Sequence, residues 1–242
     1  MNIALIGYGK MGKVIEKIAI SRGHKISAVI NSANPIESVD FSNTDIAIDF
    51  STPATVVEHI HFMLDLKIPL VVGTTGWNDQ LADISKKTNQ TNGALLHASN
   101  FSIGVNLFFK LNEQLAKLMN NHKDYYVTME EIHHTEKLDA PSGTAISLAE
   151  GIIQNHEAVE DWSCPQHPNK NEFNGGVEIT AIREPEVRGT HLVRYNSEID
   201  TITIKHEAHN RDGFASGAVV AAEWLINKTG VYTMKDVLNL KD

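Results

Sequence analysis

The segment Glu131–Ala145 brings together side chains that could transfer a proton and bind an anion. It begins as a predicted β-strand, in which the adjacent His133 and His134 would point to opposite sides, so that one can meet a reacting atom and the other a different substrate group. Lys137 is a cation that could bind a carboxylate or donate a proton. Ser142-Gly143-Thr144 begins the next predicted helix, where backbone N–H groups and two hydroxyls favour an anion. We therefore predict a proton-handling, anion-binding site in this segment.

Each of these features also has an ordinary structural explanation. Adjacent histidines are more often surface or core residues than a catalytic pair, and Ser-Gly-Thr is a normal helix cap. Their coincidence within twelve residues, from His133 to Thr144, favours a functional site. No metal site is predicted, because the two histidines diverge and no nearby H-x-x-x-H pattern offers ligand spacing.

A second motif, Gly7-Tyr8-Gly9-Lys10-Met11-Gly12, has the spacing G-x-G-x-x-G. It follows an apolar predicted strand and opens a predicted helix, which is the context in which this spacing binds the pyrophosphate of a dinucleotide. The three glycines then permit a tight turn, a close approach to the pyrophosphate and close packing of helix on strand. The alternative is a plain glycine turn, but the surrounding strand–helix alternation favours cofactor binding.

Further strand ends extend the predicted cofactor site. Asn31 stands nineteen residues after Gly12, where an acidic residue usually holds the ribose. Asparagine can bond a ribose without repelling a 2′-phosphate, and no arginine follows it, although Lys10 could reach that phosphate, so NADH and NADPH both remain open. The predicted loop Asp49–Pro53 and the loops after the next two predicted strands are expected to contact the nicotinamide ribose and ring. The candidates in those two later loops are Gly73, Thr74, Thr75, Ala98, Ser99, Asn100 and Phe101.

The elements that must position the cofactor residues alternate over the first hundred residues. The predicted strands are Ile3–Ile6, Ile26–Ile30, Ile46–Ile48, Leu70–Val72 and Ala94–His97, and the predicted helices are Lys10–Ile20, Ala54–Leu66 and Gln80–Lys87. This alternation predicts a parallel sheet with helices on both faces, which binds ligands at the carboxyl ends of its strands.

The pattern changes after Gly104. The predicted helices there are Val105–Met119, Thr144–Gln154 and Phe214–Asn227, the predicted strands are Tyr125–His134, Val177–Ile182, His191–Tyr195 and Thr201–His206, and residues 156–176 are expected to form a mobile loop. Alternating strands indicate a mixed or antiparallel sheet. The predicted fold class is α/β, with an N-terminal Rossmann-type dinucleotide-binding domain over residues 1–104, to which 214–242 return. An α+β substrate-binding and oligomerisation domain with a mixed sheet is predicted over 105–213.

Composition narrows the class of protein. The 242 residues carry 21 Lys and Arg against 30 Asp and Glu, a net charge of −9, which argues against general binding of nucleic acid or anionic membranes. With 42% hydrophobic residues the chain can bury a core. The single cysteine, Cys164, excludes an internal disulfide. The N-terminus lacks a signal-peptide pattern, so we expect a soluble cytoplasmic protein.

Taken together, the motifs resemble the 4-hydroxy-tetrahydrodipicolinate reductase (dihydrodipicolinate reductase) family of the diaminopimelate–lysine route. The resemblance covers essentially the whole chain and includes Gly7–Gly12, Ser99–Asn106 and the closing segment His206–Ala218. The family signature E-x-H-H-x-x-K-x-D-x-P-S-G-T-A runs unbroken from Glu131 to Ala145 and is far more specific than the glycine turn.

The resemblance implies a particular reaction and particular roles. It implies reduction of 4-hydroxy-tetrahydrodipicolinate to tetrahydrodipicolinate by NADH or NADPH, with His133 as the acid–base residue and Lys137 as a proton donor. His134 and the pair Gly143-Thr144 would contact the substrate, and the family is usually a homotetramer. Two alternatives remain, another small Rossmann reductase and a non-catalytic dinucleotide sensor, and the intact signature disfavours both.

Overall fold

The computed structural model describes residues 1–170, 172, 176–210 and 212–240. The chain divides into two compact units, the first comprising Met1–Ile103 with Arg211–Asp242 and the second Gly104–Asn210. Part of the predicted loop 156–176 therefore lies outside the described residues. Within the described ranges, no helix has the length and apolar character needed to cross a membrane.

The strands and helices follow the chain in a regular order. The strands are β1 (Asn2–Ile6), β2 (Lys25–Ile30), β3 (Ile46–Asp49), β4 (Leu70–Val72), β5 (Ala94–His97), β6 (Tyr126–His133), β7 (Trp162–Ser163), β8 (Val177–Arg183), β9 (Thr190–Asn196), β10 (Thr201–Glu207) and β11 (Gly230–Tyr232). The helices are α1 (Lys10–Ser21), α2 (Val56–Asp65), α3 (Leu81–Gln90), α4 (Ile103–Met119), α5 (Gly143–Asn155), α6 (Asp212–Leu225) and α7 (Met234–Val237).

The first unit is a parallel sheet in the order β11-β5-β4-β3-β1-β2, covered by helices on both faces. Its central strands are apolar on both sides, as a doubly covered sheet requires. Ile15 of α1 and Ala222 of α6 belong to the core on one face, and Ile60 of α2 and Ile84 of α3 to the core on the other. The predicted Rossmann-type architecture is confirmed, and the carboxyl ends of β1 to β5 all lie on one edge.

The second unit is a mixed sheet, as predicted, and its strand order is β10-β9-β6-β8-β7. The central strand β6 runs antiparallel to β9 and parallel to β8. One face packs on α4 and α5, through residues such as Phe108 and Leu148. Because side chains alternate along β6, the buried face takes Val127 and Met129 and then two polar residues, Glu131 and His133. This register brings polar chemistry to the end of an apolar face.

Three local features differ from the sequence-based expectations. Strand β6 ends at His133, so His134 lies beyond it and the argument from strand alternation does not extend to the pair. The short strand β7 lies in the segment predicted as a loop and pairs in parallel with Val177 and Glu178. Strand β11 and helix α7 were not predicted, because such short elements depend on tertiary partners, and β11 gains its hydrogen bonds from β5.

Candidate active site

The carboxyl edge of the first unit's sheet carries a cleft of about 610 Å³. Four of the predicted cofactor residues line it, namely Gly7, Tyr8, Gly9 and Asn31, and Phe50–Thr52 after β3 also contribute to its wall. The ends of β1, β2 and β3 are therefore brought together as the alternation predicted.

The glycine turn has a shape that only glycine allows. Gly7 has a φ of +85°, and a Cβ there would lie 2.3 Å from the Phe50 carbonyl oxygen. A Cβ on Gly12 would lie 2.5 Å from the Gly7 carbonyl oxygen. A Cβ on Gly9, in contrast, would meet no atom within 4 Å, so the space beside the start of α1 is open. A dinucleotide pyrophosphate fits this arrangement, because open backbone N–H groups at a helix start favour an anion.

The wall beside Asn31 carries negative charge. The Asn31 side-chain oxygen accepts hydrogen bonds from the backbone N–H groups of Ala33 and Asn34, at 2.9 and 3.1 Å, so this oxygen stabilises its own turn. Glu37 and Glu58 also line the cleft, and among its described lining residues there is no lysine or arginine. Neither glutamate was predicted, because Glu37 lies on a short 3₁₀ turn and Glu58 on α2.

A buried carboxylate joins the next two loops of the first unit. Asp49 is completely buried, and its Oδ1 accepts hydrogen bonds from the Ser51 N–H at 2.8 Å, the Ser51 hydroxyl at 2.7 Å and the Thr74 hydroxyl at 2.8 Å. The His59 ring lies 2.8 Å from Oδ2. Asp49 therefore holds the loop after β3 to the loop after β4.

The remaining predicted cofactor residues surround this edge without lining the cleft. Lys10 is exposed on the first turn of α1, Met11 packs against the core, and Phe101 is 2% exposed with its ring 5.7 Å from that of Phe50. Thr75 and Ser99 are exposed, and Asn100 accepts a hydrogen bond from the Ser102 N–H. Gly73 and Ala98 continue the ends of β4 and β5.

In the second unit, His133 meets two partners at the end of the buried face of β6. Glu131 is completely buried, and its Oε2 lies 3.5 Å from His133 Nδ1 and 3.7 Å from Nε2 of His191 on β9. The two histidine rings lie 5.1 Å apart, edge to face. Ligand atoms of these three residues are close enough to hold a metal, but Glu131 already pairs with Arg183 at 3.1 Å.

Burial and hydrogen bonding set the charges of this cluster. Burial by itself would raise the pKa of Glu131, but the nearby His191 ring and the hydroxyl and N–H of Ser142 outweigh it and lower the pKa to about 2. Burial lowers the pKa of His133 to about 4, since the Glu131 carboxylate compensates only part of that effect and nearby cations oppose protonation. At neutral pH, therefore, Glu131 is ionised and His133 is neutral.

The start of α5 adjoins the same carboxylate. The Ser142 N–H donates to Glu131 at 3.0 Å, and the Ser142 hydroxyl lies 3.1 Å from His191 and accepts from the Ala145 N–H at 3.2 Å. The polar groups of Ser142 thus serve the buried network and the helix cap. Gly143 is exposed, with nothing within 4 Å of a Cβ position, so the first turn of α5 is open to an anion there.

Lys137 lies in the loop between β6 and α5. Its ammonium nitrogen is 2.8 Å from each Asp139 carboxylate oxygen, and its backbone N–H donates to the His134 carbonyl at 3.1 Å. The side chain of Asp139 is 60% exposed, so this ion pair is open to competition by another anion.

Comparison with known proteins decides the family. Residues 1–101 match the family model described as dihydrodipicolinate reductase, N-terminus, and residues 104–238 match dihydrodipicolinate reductase, C-terminus. The chain belongs to the dihydrodipicolinate reductase family. It is 48% identical over 241 residues to the 4-hydroxy-tetrahydrodipicolinate reductase of Christiangramia forsetii, across 99% of this chain and 98% of the relative. The enzyme of that name from Rickettsia bellii is 37% identical over 241 residues, across 98% and 94%.

A solved structure shows the shared dihydrodipicolinate reductase fold. The dipicolinate-bound dihydrodipicolinate reductase from Paenisporosarcina sp. TG-14 aligns with a TM-score of 0.77 and 24% identity, across 96% of this chain and 97% of that chain. Membership of the family confirms the predicted oxidoreductase, its use of NADH or NADPH and its place in diaminopimelate and lysine biosynthesis.

Two residues beside the Glu131 carboxylate, His191 and Arg183, were not predicted as functional from the sequence, and Glu131 itself was given no role. Glu131 was only the first letter of the dihydrodipicolinate reductase signature, His191 only a strand residue, and Arg183 was not singled out. One signal was available, because an acidic residue two positions before His133 on an alternating strand falls on the buried face and requires a partner there. The identity of that partner depends on which strands neighbour β6.

Proposed function

We propose that this chain reduces 4-hydroxy-tetrahydrodipicolinate to tetrahydrodipicolinate and that its own residues divide the task between the two units. Residues 1–104 with 214–242 would bind the cofactor, and 105–213 would bind the substrate. The observation that carries the proposal is that His133 and the open first turn of α5 both adjoin the ionised carboxylate of Glu131, and that the loop between them carries Lys137. It combines a proton source with an anion site in one unit, as reduction of a cyclic dicarboxylate requires.

The cofactor side of the proposal rests on the cleft of the first unit. Gly7, Gly9 and Gly12, with Tyr8, Lys10 and Met11, would hold the pyrophosphate at the start of α1, and Asn31 would bond the adenosine ribose. The loop residues Gly73–Thr75 and Ala98–Phe101 would hold the nicotinamide half. When bound, the cofactor supplies the hydride. Asp49 keeps these loops in place through Ser51 and Thr74.

On the substrate side, the first turn of α5 would bind one substrate carboxylate through Gly143 and Thr144. The hydrogen bond from the Ser142 N–H to Glu131 would hold that turn in place. His134 would form a hydrogen bond with a second polar group of the substrate. Lys137 would leave Asp139, bind the substrate and donate the proton that balances hydride addition, and the 4-hydroxyl group would depart as water, so that one hydride and one proton are consumed for each water released. His133 is neutral at neutral pH, so in this proposal it contacts the substrate as a neutral hydrogen-bonding group while Lys137 carries the transferred proton.

We propose further that the enzyme is a homotetramer and that it acts in the cytoplasm, where its cofactors are available. The second unit leaves large apolar side chains at its surface, including Tyr126 at 64%, Ile199 at 92% and Ile202 at 39% exposed. Such side chains are typical of a surface that another subunit covers. Light scattering should give a mass four times that of the chain, and a monomer mass would contradict the assembly.

The test of the reaction follows loss of NADH or NADPH at 340 nm while a dihydrodipicolinate synthase generates the substrate in the cuvette. We expect oxidation that depends on the synthase. A parallel run without the synthase measures background oxidation. If both cofactors bind but neither is oxidised, the reductase proposal fails, and a dinucleotide sensor or another substrate becomes the better account.

A further inference from the structure

Arg183 ends β8 and makes contacts to three separate parts of the second unit. Its Nη2 donates to Glu131 Oε1 at 3.1 Å and to the Asp139 carbonyl at 2.6 Å, and its Nε donates to the Lys137 carbonyl at 3.3 Å. Nη1 donates to the Ile182 carbonyl at 2.8 Å. Each nitrogen of the guanidinium group therefore has a protein acceptor, and two of those acceptors lie in the loop that carries Lys137.

The Arg183 contacts stabilise the Lys137 loop, which is largely exposed to solvent. Leu138, between the two bonded carbonyls, is 97% exposed, so it contributes almost no hydrophobic stabilisation. The side chain of Asp139 is also largely exposed. Two hydrogen bonds from one rigid, planar group fix the backbone on both sides of Leu138 and hence the position from which the Lys137 side chain starts.

Glu131 connects this loop to the anion site. Its Oε1 accepts from Arg183, while Oε2 accepts from the Ser142 N–H at the start of α5. The carboxylate is completely buried and therefore requires a charged or hydrogen-bonding partner. One ion pair thus orders both ends of the segment that runs from Lys137 to Ser142.

We propose that Arg183 is a positioning residue for the reduction: paired with buried Glu131, it holds the Lys137 loop through two backbone carbonyls and keeps the lysine in register with the first turn of α5. This inference rests on the proposed role of Lys137 as proton donor. Arg183 itself transfers no proton, and its effect passes through the backbone of the loop.

The neighbouring pair Arg194 and Glu130 provides a matched control. Glu130 is adjacent to Glu131 on β6 and points to the opposite face, and Arg194 Nη2 lies 3.5 Å from its Oε1. Like Arg183, Arg194 bridges β6 to an adjacent strand of the same sheet. The pair therefore reproduces the charge and the strand context without the loop contacts described for Arg183.

The experiment compares Arg183→Ala, Arg183→Lys and Arg194→Ala in the coupled assay at 340 nm, with NADH affinity measured separately by fluorescence titration. We expect Arg183→Ala to lower kcat/KM for the substrate by about 100-fold, as small displacements of a catalytic group do, and to leave the NADH Kd within about twofold. Millimolar guanidinium chloride should restore at least part of the lost activity. Arg183→Lys should remain well below wild type, because an ammonium group cannot bridge Glu131 and both carbonyls.

Several outcomes would overturn the inference. They are an Arg183→Ala enzyme with kcat/KM within about threefold of wild type, an equal loss in Arg194→Ala, or full activity in Arg183→Lys. If Arg183→Ala does not fold, Arg183→Lys alone decides, since it keeps a charge beside Glu131. Absence of turnover by the wild type would contradict the proposed function instead. An inactive Lys137→Ala enzyme beside a fully active Arg183→Ala enzyme would contradict only this inference.

Discussion

The two units each bury one carboxylate beside their functional loops, and they satisfy it differently. Asp49, at the end of β3, receives its hydrogen bonds from Ser51, two residues on, and from Thr74 in the adjacent loop. Glu131, on β6, is held by Ser142, eleven residues on, and by Arg183, which is 52 residues away. The first unit, the proposed cofactor half, is thus ordered mainly by hydroxyl and N–H groups of neighbouring loops and by the ring of His59. The second unit, the proposed substrate half, is ordered by an ion pair between two strands that are neighbours in the sheet but distant in the sequence.

This difference has consequences for the two halves of the reaction. A network of hydrogen bonds between neighbouring loops gives a local arrangement that tolerates changes elsewhere. A buried ion pair is sensitive to loss of either partner, since the charge left behind has no solvent to stabilise it. We therefore expect damage to the substrate half to reduce turnover without altering cofactor affinity, and damage to the cofactor half to have the opposite effect.

The largest expected effect comes from Lys137→Ala. Loss of the proposed proton donor should lower kcat by about 10³-fold, while the NADH Kd stays within about twofold of wild type because Lys137 lies in the proposed substrate half. Steady-state rates at 340 nm and a fluorescence titration of NADH measure the two quantities. Lys205→Ala is the matched control, because Lys205 also pairs with an acidic residue two positions on, Glu207, at 2.6 Å. A comparable loss of NADH affinity in Lys137→Ala would contradict the assignment.

The next effect concerns stability in acid. The folded protein holds the pKa of His133 at about 4, below the ordinary 6.5, so the unfolded chain takes up a proton that the folded chain excludes as the pH falls between these values. The free energy of unfolding should therefore fall by about 2 kcal/mol between pH 6.5 and 4, less than the full shift implies because solvent screens part of the charge. Glu131, with its pKa lowered from 4.5 to about 2, adds a further loss below pH 4.5.

Denaturant unfolding at pH 7 and pH 4.5, followed by circular dichroism, measures this dependence. His133→Gln should flatten it across the range from pH 6.5 to 4, because glutamine does not titrate. An unchanged slope in that variant would show that His133 is not the source of the acid sensitivity.

The smallest expected effect is on cofactor choice. Glu37 and Glu58 line the cleft, so we expect the wild type to have a lower KM for NADH than for NADPH. Glu37→Lys should shift the ratio of kcat/KM values towards NADPH by about tenfold, equivalent to about 1.4 kcal/mol. Asp79→Lys makes the same charge change on a turn outside the cleft and should leave the ratio unaltered. A ratio that moves equally in both variants would show a general charge effect rather than recognition at Glu37.

The main elements of both units could be predicted from the sequence alone. The glycine turn and the strand–helix alternation of the first unit are local patterns, and the structure has them close to their predicted bounds. The mixed character of the second sheet was likewise predicted from alternating strands. The end of β6 at His133 and the short strands β7 and β11 were not, because they depend on pairing with distant strands.

The same reasoning applies to the candidate site. The signature indicated Lys137, His133 and the start of α5, because those residues are close together in the sequence. Arg183 could not be found in this way, since its link to Glu131 exists only after β6 and β8 pair in parallel. The depressed pKa of His133 is also a product of burial, which residue spacing does not reveal.

The most direct test of the central claim, that the two carboxylates organise separable halves, measures Asp49→Asn and Glu131→Gln side by side. Both substitutions keep the shape of the side chain and remove its charge. We predict that Asp49→Asn raises the NADH Kd by about tenfold with little change in the substrate KM. Glu131→Gln should lower kcat/KM for the substrate by about 100-fold and leave the NADH Kd within about twofold. If each variant, folded as judged by circular dichroism, impairs both cofactor affinity and substrate turnover to the same degree, the division into two independently ordered halves is wrong.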